Sequence, residues 1–351
     1  MYKMSDTVGE TLGRVKWFNG RKGFGFITTV GTDTVTDLIT GDSFVVESGA
    51  VLLASNILNF VASDTTQNSG TTNLTGHSSG AIITMTDSLK GAYNIFGSYG
   101  DDVFTGGKYD DIISAGVGND VIEGGFGNDT LDGGFGKDVI DGGPGNDKLS
   151  GGADNDLFYI SEGTDSIVDL TTGDAFRISS NATLNAENIK YFISDSETQN
   201  NGSAYLYSKS SGSIINMTDA SNGDYNLIGN IGEDHLTGGH GNDNIDGAEN
   251  DDVLFGGGGN DLFTISSGLD SIKDLYTGDI FVVSSGAELN ADNIALFYAS
   301  ALTENAGIAT LNSGNNNSLI DMSEAQGNFS LVGGFGSDRL TGGRFEDNIL
   351  G

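Results

Sequence analysis

The sequence predicts an all-β protein in which blocks of a short repeat alternate with longer β-rich modules. A nine-residue repeat carries one large apolar residue per unit, and a longer repeat joins the nine-residue blocks. Between the blocks, short β-favouring runs are separated by Gly, Asn, Asp and Ser. Only residues 186–189 resemble a helical turn.

The short repeat has the consensus GGxGxDxUx, where U is apolar, and occupies residues 97–159, 229–264 and 333–350 with seven, four and two units. Because alternate residues of a strand face opposite sides, the segment xUx predicts a short strand with its central side chain in the core. In the first two blocks these position-eight residues are Phe104, Ile113, Ile122, Leu131, Ile140, Leu149, Phe158, Leu236, Ile245, Leu254 and Phe263.

The remaining six residues, GGxGxD, predict a tight turn, because glycine adopts positive φ without steric cost. Position five is often Asn, as at Asn119, Asn128, Asn146 and Asn155. Asn tolerates the left-handed conformation better than most residues, so we expect these residues to adopt it.

The long repeat begins with related segments at 31–44, 163–176 and 268–281. Their spacings of 132 and 105 residues differ by 27, which is three nonapeptides and matches seven units against four. The chain is therefore predicted to contain modules at 29–96, 160–228 and 265–332.

The modules are predicted to continue the β-structure, either as longer solenoid coils or as a small sandwich between the blocks. Each module has an Asp at a matched place, namely Asp33, Asp165 and Asp270. We favour an interpretation of these as turn residues over one as additional ligands.

Composition excludes several classes of protein. The chain of 351 residues has no Cys, so it has neither disulfides nor Cys-ligated metal sites. Its formal charge of −34 disfavours nucleic-acid binding over most of its length. No apolar run is long enough to span a membrane, and the N-terminus lacks the apolar core of a signal peptide.

Position six is Asp in all 13 nonapeptides. Stacked turns would place these carboxylates in columns that repel each other without a counter-ion. Calcium suits such columns, because it binds six to eight oxygens from carboxylates and backbone carbonyls. Magnesium suits them less well, since it demands stricter octahedral geometry and retains water.

These blocks resemble the RTX family of calcium-binding repeat proteins. The resemblance implies a parallel β-roll with two nonapeptides per coil, in which turns i and i+2 bind calcium between them. It implies five complete sites in the first block and two in the second. The implied metal ligands are Asp102, Asp111, Asp120, Asp129, Asp138, Asp147, Asp156, Asp234, Asp243, Asp252 and Asp261, with Asp338 and Asp347 as weaker candidates.

Departures from the consensus rank these candidates. Glycine at position four is replaced in four units, by Tyr109, Asp154, Asn250 and Phe345, and Ala115 and Ala248 replace glycine at positions one and two. Residues 124–150 follow the consensus most closely. The firmest ligand candidates are therefore Asp120, Asp129, Asp138 and Asp147.

One segment mimics a catalytic motif. Residues 76–80 read GHSSG, which matches the G-x-S-x-G nucleophile elbow. That motif requires a strand–turn–helix context, and no long helical pattern surrounds it. We therefore interpret the segment as a loop, and we expect no enzyme activity from this chain.

The N-terminal segment 1–31 differs in charge from the rest of the chain. It carries five basic and two acidic side chains, a net charge of +3, whereas segment 32–351 carries 10 basic and 47 acidic, a net of −37. Within it, segment 13–27 resembles the start of a cold-shock domain. The resemblance implies nucleic-acid contacts by Lys16, Trp17, Phe18, Lys22, Phe24 and Phe26. So short a segment does not close a five-stranded barrel, so we interpret segment 1–28 as a fusion to the repeat region or a gene-model chimera, and not as a working domain.

The sequence as a whole predicts an extracellular, secreted calcium-binding repeat region that folds on calcium binding and has a structural or adhesive role. Its expected partners are calcium ions and cell-surface or matrix components. The RTX resemblance implies type I secretion. Two alternatives stay open: an accessory region of a secreted enzyme whose catalytic domain lies outside this chain, and single-stranded nucleic-acid binding through residues 13–27.

Overall fold

The computed structural model describes residues 14–19, 24–29, 31–36, 38–315 and 317–351, with side chains described from Ile27 onward. The chain divides into two compact units, one formed by residues 1–168 and 181–183 and the other by 169–180 and 184–351. Every regular element of the described residues is a β-strand, so the predicted all-β class is confirmed.

The described residues of the first unit form nineteen strands with short turns between them. They are β1 (Arg14–Asn19), β2 (Phe24–Thr29), β3 (Thr32–Val35), β4 (Ser43–Val46), β5 (Val51–Ile57), β6 (Asn59–Val61), β7 (Gln67–Asn68), β8 (Thr71–Gly76), β9 (Ile82–Thr84), β10 (Asn94–Phe96), β11 (Val103–Thr105), β12 (Ile112–Val117), β13 (Val121–Glu123), β14 (Thr130–Phe135), β15 (Val139–Asp141), β16 (Pro144–Gly145), β17 (Lys148–Ala153), β18 (Leu157–Ile160) and β19 (Glu162–Ile167).

The second unit continues the same pattern, and β21 contains residues of both units. Its strands are β20 (Ala175–Ile178), β21 (Ala182–Ile189), β22 (Tyr191–Ile193), β23 (Gln199–Asn200), β24 (Ser203–Ser208), β25 (Ile214–Asn216), β26 (Tyr225–Ile228), β27 (His235–Gly239), β28 (Asn244–Asp246), β29 (Val253–Gly257), β30 (Leu262–Ile265), β31 (Leu269–Ile272), β32 (Ile280–Val283), β33 (Glu288–Ile294), β34 (Leu296–Tyr298), β35 (Glu304–Asn305), β36 (Ile308–Ser313), β37 (Leu319–Asp321), β38 (Gln326–Gly327), β39 (Ser330–Val332), β40 (Arg339–Thr341) and β41 (Asn348–Leu350).

The nonapeptide strands pair in parallel, and each strand pairs with the strand two units along the chain. Val103 pairs with Val121 and Leu236 pairs with Leu254, each at the same position of the repeat two nonapeptides later. One coil is therefore two nonapeptides, and successive strands lie alternately in two facing sheets. In the first unit one sheet has the order β3-β5-β8-β10-β12-β14-β17-β19 and the other β6-β9-β11-β13-β15-β18. This confirms the predicted parallel β-roll.

The modules are longer coils of the same solenoid, not a separate sandwich. Most of their strands join the same sheets as the nonapeptide strands, whereas β4 and β7 form a sheet with β1 and β2. Val51 pairs with Thr71 and Asn59 with Ile82, which lie further apart in the sequence than two nonapeptides. The extra residues lie in the turns. The structure therefore decides between the two folds that the sequence left open.

The core of each unit is a stack of inward-facing apolar side chains. The position-eight residues of the first two blocks are no more than 1% exposed. Each module adds the same aromatic cluster: Phe44 stacks on Phe60 with ring centroids 5.9 Å apart, and Tyr93 meets Phe44 edge-on at 6.3 Å. The equivalent clusters are Phe176, Phe192 and Tyr225, and Phe281, Phe297 and Phe329. Such pairs contribute about 0.5–1.5 kcal/mol beyond the area that they bury.

The segment that resembles a cold-shock domain begins the solenoid. Strand β1 pairs antiparallel with β2, and β2 pairs in parallel with β4, where Ile27 lies opposite Phe44. Lys22 and the side chains of Lys16, Trp17, Phe18, Phe24 and Phe26 lie outside the described residues.

Positive φ angles occur at positions two and four of the turns. Gly116 and Gly118 have φ values of 105° and 155°. Where glycine is replaced, Ala248 at position two, and Asp154 and Asn250 at position four, still adopt positive φ, at 73°, 81° and 82°. The predicted left-handed conformation at position five was wrong, since Asn119, Asn128, Asn146 and Asn155 are absent from the positive-φ residues of the described chain.

Candidate calcium-binding turns

The position-six aspartates line the two edges of the solenoid where the turns stack. Those of the first two blocks are no more than 3% exposed. The ion pairs found among the described residues, Arg177–Glu197, Lys273–Asp292 and Arg344–Glu324, use other acids. Burying an ionised carboxylate without a partner is costly, so these columns require a compensating charge.

One oxygen of each carboxylate is held by the neighbouring coil. The main-chain N–H of one aspartate donates a hydrogen bond to Oδ1 of the matching aspartate in the next coil. This contact joins all seven pairs that the sequence predicted. They are Asp102–Asp120 (2.7 Å), Asp111–Asp129 (2.6 Å), Asp120–Asp138 (2.8 Å), Asp129–Asp147 (2.7 Å), Asp138–Asp156 (2.9 Å), Asp234–Asp252 (2.7 Å) and Asp243–Asp261 (2.8 Å).

The second oxygen, Oδ2, is buried without a hydrogen-bond partner in Asp120, Asp129, Asp138, Asp147, Asp243, Asp252 and Asp261. In every case but Asp120, whose turn has Ala115 at position one, this oxygen lies over the glycine at position one of its own turn. A Cβ on Gly133 would collide with Oδ2 of Asp138 and lie 2.8 Å from the carbonyl oxygen of Gly151 in the next coil. A carboxylate oxygen and a carbonyl oxygen therefore converge where a side chain is excluded. This donor set fits calcium, which binds both kinds of oxygen.

The electrostatics of the columns favour a bound cation. Burial, together with repulsion by Asp111 and Asp147, raises the pKa of Asp129 to about 7. Burial and then the charges of Asp270 and Asp234 raise the pKa of Asp252 to about 8. Without a cation, these carboxylates resist ionisation because each lies in a dry environment beside other acids.

Carbonyl oxygens must supply much of any coordination shell. Within the described ranges, no group of three or more His, Cys, Asp or Glu side chains is placed to hold a metal ion. Each turn pair instead offers two carboxylates and the exposed main-chain carbonyls of a glycine-rich loop. Such a set suits a hard cation of high coordination number and does not suit zinc.

A second ladder at position five was missed by sequence reasoning. The N–H of Lys137 donates to Oδ1 of Asn119 at 2.9 Å, and the N–H of Asn146 donates to Oδ1 of Asn128 at 2.9 Å. Here the donor belongs to the later coil, so this ladder runs in the opposite direction to that of position six. The sequence feature that indicates this ladder is the frequent Asn or Asp at position five, which instead suggested a left-handed backbone conformation there.

Two module aspartates lie in the same columns. Asp165 accepts a hydrogen bond from Asp147 N–H at 3.0 Å, and Asp270 accepts one from Asp252 N–H at 3.0 Å. Both are fully buried, and the Oδ2 atom of each has no hydrogen-bond partner. Asp165 and Asp270 therefore share the contacts of the position-six aspartates, which supports the alternative interpretation as additional ligands. The sequence feature that indicates this placement is the GxDxU spacing retained around both aspartates, which puts each of them at position six of a degenerate nonapeptide.

The third block differs from the other two. Asp338 and Asp347 are half-buried, and their Oδ1 atoms accept hydrogen bonds from Ser318 N–H at 3.0 Å and Phe329 N–H at 2.8 Å. The N–H of Gly343 also donates to Asp347 Oδ2 at 2.7 Å. In both weaker ligand candidates, Oδ1 therefore accepts a main-chain N–H from the preceding module, just as Oδ1 of the inner aspartates accepts one from the preceding coil.

The segment that mimics a nucleophile elbow connects two strands. Gly76 ends β8 and Ile82 begins β9, and the exposed Ser78 lies in the turn between them. The neighbouring His77 Nδ1 and Ser79 Oγ are 2.8 Å apart. A strand–turn–strand corner lacks the geometry that the elbow motif requires, which supports the interpretation as a loop.

The fold and these edges define a class: a parallel β-solenoid whose stacked turns form carboxylate columns for a hard cation. The family comparison agrees, because the RTX calcium-binding nonapeptide repeat matches in four copies, at residues 96–131, 132–167, 228–263 and 330–351. The chain thus contains a calcium-binding repeat region of the RTX type. The resemblance of residues 13–27 to a cold-shock domain finds no support in this comparison.

Two further findings bear on the class of protein. No curated protein matches the chain. In the part of the chain that the structure describes, no helix is long and apolar enough to cross a membrane.

Proposed function

We propose that this chain is an extracellular scaffold whose blocks fold when calcium binds. The observation that carries the proposal is the buried, unpartnered Oδ2 atom of Asp120, Asp129, Asp138 and Asp147, repeated along the stacked turns of one block. An apolar solenoid gains nothing from such atoms, because each costs desolvation energy in the absence of a cation.

The mechanism is linkage between folding and ion binding. Without calcium, the carboxylates of one column repel each other, and the dry edge disfavours their ionised form. Bound calcium supplies positive charge to those edges. Because the ligands converge only in the coiled state, binding stabilises the folded form increasingly as the calcium concentration rises.

The proposed location is outside the cell. Calcium sites of extracellular modules commonly have dissociation constants of about 10⁻⁴–10⁻³ M, which are filled where calcium is abundant. The matched repeat family and the strongly acidic composition support secretion of a structural or adhesive protein. Cell-surface or matrix components are its proposed partners, and the proposal includes no catalytic step.

The decisive test is a calcium titration of the full chain, monitored by far-UV circular dichroism and compared with the spectrum of the chain in a chelator. We expect strand signal to appear with calcium and to be lost on chelation. Magnesium at the same concentration is the matched control, and we expect it to restore little signal. A spectrum that is folded and unchanged with and without calcium would refute ion-coupled folding.

A further inference from the structure

The position-six column of the second block continues beyond its last glycine-rich turn. After Asp234 and Asp252, the next aspartate in the column is Asp270, in the turn 265–270 that reads ISSGLD. That turn lies outside the matched repeats and has Ile265 in place of the first glycine. The column therefore extends into a segment that the repeat motif does not describe.

The contacts at this turn reproduce those of the inner turns. Asp252 N–H donates to Asp270 Oδ1 at 3.0 Å, and the Oδ2 atoms of both residues are buried without partners. Gly268 retains the positive φ of position four, at 87°, and a side chain there would collide with the carbonyl oxygen of Asn250. The outer ladder also continues, since Leu269 N–H donates to Asp251 Oδ1 at 2.9 Å.

The opposite edge of the same coil is closed by side chains. Asp261 N–H donates to Asp279 Oδ1 at 3.0 Å, as in the other pairs, but Asp279 Oδ2 accepts the N–H of Tyr276 at 2.9 Å. Both carboxylate oxygens of Asp279 are therefore already used.

The side chains of Asp274 and Tyr276 also cover the glycine-rich loop at this edge. The Asp274 carboxylate accepts N–H groups of Gly256 at 3.0 Å and Gly257 at 2.8 Å. The Tyr276 hydroxyl donates to the carbonyl oxygen of Gly257 at 2.8 Å and accepts the N–H of Gly259 at 3.0 Å. Tyr276 thus occupies the carbonyl oxygen of Gly257, and Asp274 fixes the N–H groups of the same loop.

We propose that Asp252 and Asp270 form a further calcium site, whereas the Asp261–Asp279 turn pair is sealed by Tyr276 and Asp274 and binds no ion. This inference rests on the proposed calcium-binding function. Two carboxylates with unpartnered oxygens supply hard ligands on one edge. On the other edge both oxygens of Asp279 already accept hydrogen bonds, so Asp261 has no second carboxylate with an unpartnered oxygen in the following coil.

The test is calcium stoichiometry of the full chain, measured by native mass spectrometry and isothermal titration calorimetry. Asp270→Asn keeps the Oδ1 acceptor and should bind one ion fewer than the wild type. Asp279→Asn is the matched control on the sealed edge, and it should bind the same number as the wild type. Circular dichroism in calcium establishes that each variant is folded.

A second variant keeps the proposal testable if Asp270→Asn does not fold. Asp252 belongs both to the inner pair with Asp234 and to the further pair with Asp270, so Asp252→Asn should lose two ions. A loss of only one ion in Asp252→Asn, or an unchanged count in folded Asp270→Asn, would overturn the further site. Equal losses in Asp270→Asn and Asp279→Asn would overturn the sealed edge. A wild-type chain that binds no calcium would instead refute the proposed function itself.

Discussion

The main-chain N–H of Asp129 donates a 2.7 Å hydrogen bond to Oδ1 of Asp147, one coil further along the solenoid. This contact uses one oxygen of the Asp147 carboxylate and leaves its Oδ2 buried without a partner. Repeated along each edge, it separates two roles within one side chain. Oδ1 fixes the register of adjacent coils, and Oδ2 remains available to a cation.

Asp129→Asn should therefore have opposite effects with and without calcium. Asn retains the Oδ1 acceptor but removes the buried charge. In chelator, we expect the free energy of unfolding to rise by about 1–3 kcal/mol, because an uncompensated buried group is lost. In saturating calcium, we expect it to fall below that of the wild type, since a charged ligand is missing.

Urea unfolding in saturating calcium, together with the folded fraction of each protein in chelator by far-UV circular dichroism, measures both effects. Asp132→Asn is the matched control, because it removes the same charge from an exposed position in the next strand. We expect the control to change stability by less than about 0.5 kcal/mol in either condition. Destabilisation of Asp129→Asn by the same amount in both conditions would contradict the separation of roles.

The glycine at position one should be more sensitive to substitution than a glycine in the same turn at position three. A Cβ on Gly256 would collide with Asp261 Oδ2, whereas a Cβ on Gly258 has no neighbour closer than 3.8 Å, and neither glycine has positive φ. Gly256→Ala should therefore displace the carboxylate, and Gly258→Ala should not.

Thermal unfolding in calcium checks this pair. We expect Gly256→Ala to lower the free energy of unfolding by about 1–3 kcal/mol through overpacking. Gly258→Ala should be neutral or slightly stabilising, because alanine restricts the unfolded chain more than glycine does. Equal transition temperatures for the two variants would show that Oδ2 moves aside without cost.

The period of the sequence predicted which residues share an edge or the core, but not which backbone group each one meets. Position eight was buried as expected, because a nine-residue period fixes the inward face of every strand. The Oδ1 contact was not predictable, since its donor lies one coil earlier and depends on how the coils stack. The position-six contact of Asp270 was hard to predict because its turn has lost the consensus glycines at positions one and two. The sealing role of Tyr276 has no equivalent within the nonapeptide consensus.

Asn128→Ala tests the outer ladder at position five. The side-chain oxygen of Asn128 accepts the N–H of Asn146 at 2.9 Å on the exposed side of the turn. Loss of this acceptor leaves the N–H to water, so we expect a cost of only about 0.5–1.5 kcal/mol. Hydrogen exchange of the Asn146 amide should accelerate in parallel.

Asn128→Asp is the control for that variant, because it keeps an acceptor oxygen at the same place. Asp occupies position five naturally at Asp110, whose Oδ1 accepts the N–H of Asn128 at 2.7 Å. We therefore expect the exchange rate of the Asn146 amide to stay close to that of the wild type. Faster exchange in both variants would mean that the ladder does not protect this amide.

The calcium-free protein should lose stability as the pH rises. Burial and neighbouring acids raise the pKa of Asp129 and Asp243 to about 7 in the folded state, from 3.8. Between these values the folded chain retains protons that the unfolded chain has released. Protonation thus favours folding at the acidic end of this window, and the benefit is lost as the pH passes through about 7.

Calcium should reverse this dependence, because the ion binds the deprotonated carboxylates and its apparent affinity rises over the same window. Far-UV circular dichroism in chelator and urea unfolding in saturating calcium, each at about pH 5 and about pH 8, separate the two trends. We expect the residual strand signal in chelator to fall with pH, and the unfolding midpoint in calcium to rise or stay level. Parallel falls in both conditions would show that the titrating carboxylates are not calcium ligands, because the ion would then leave their protonation unchanged.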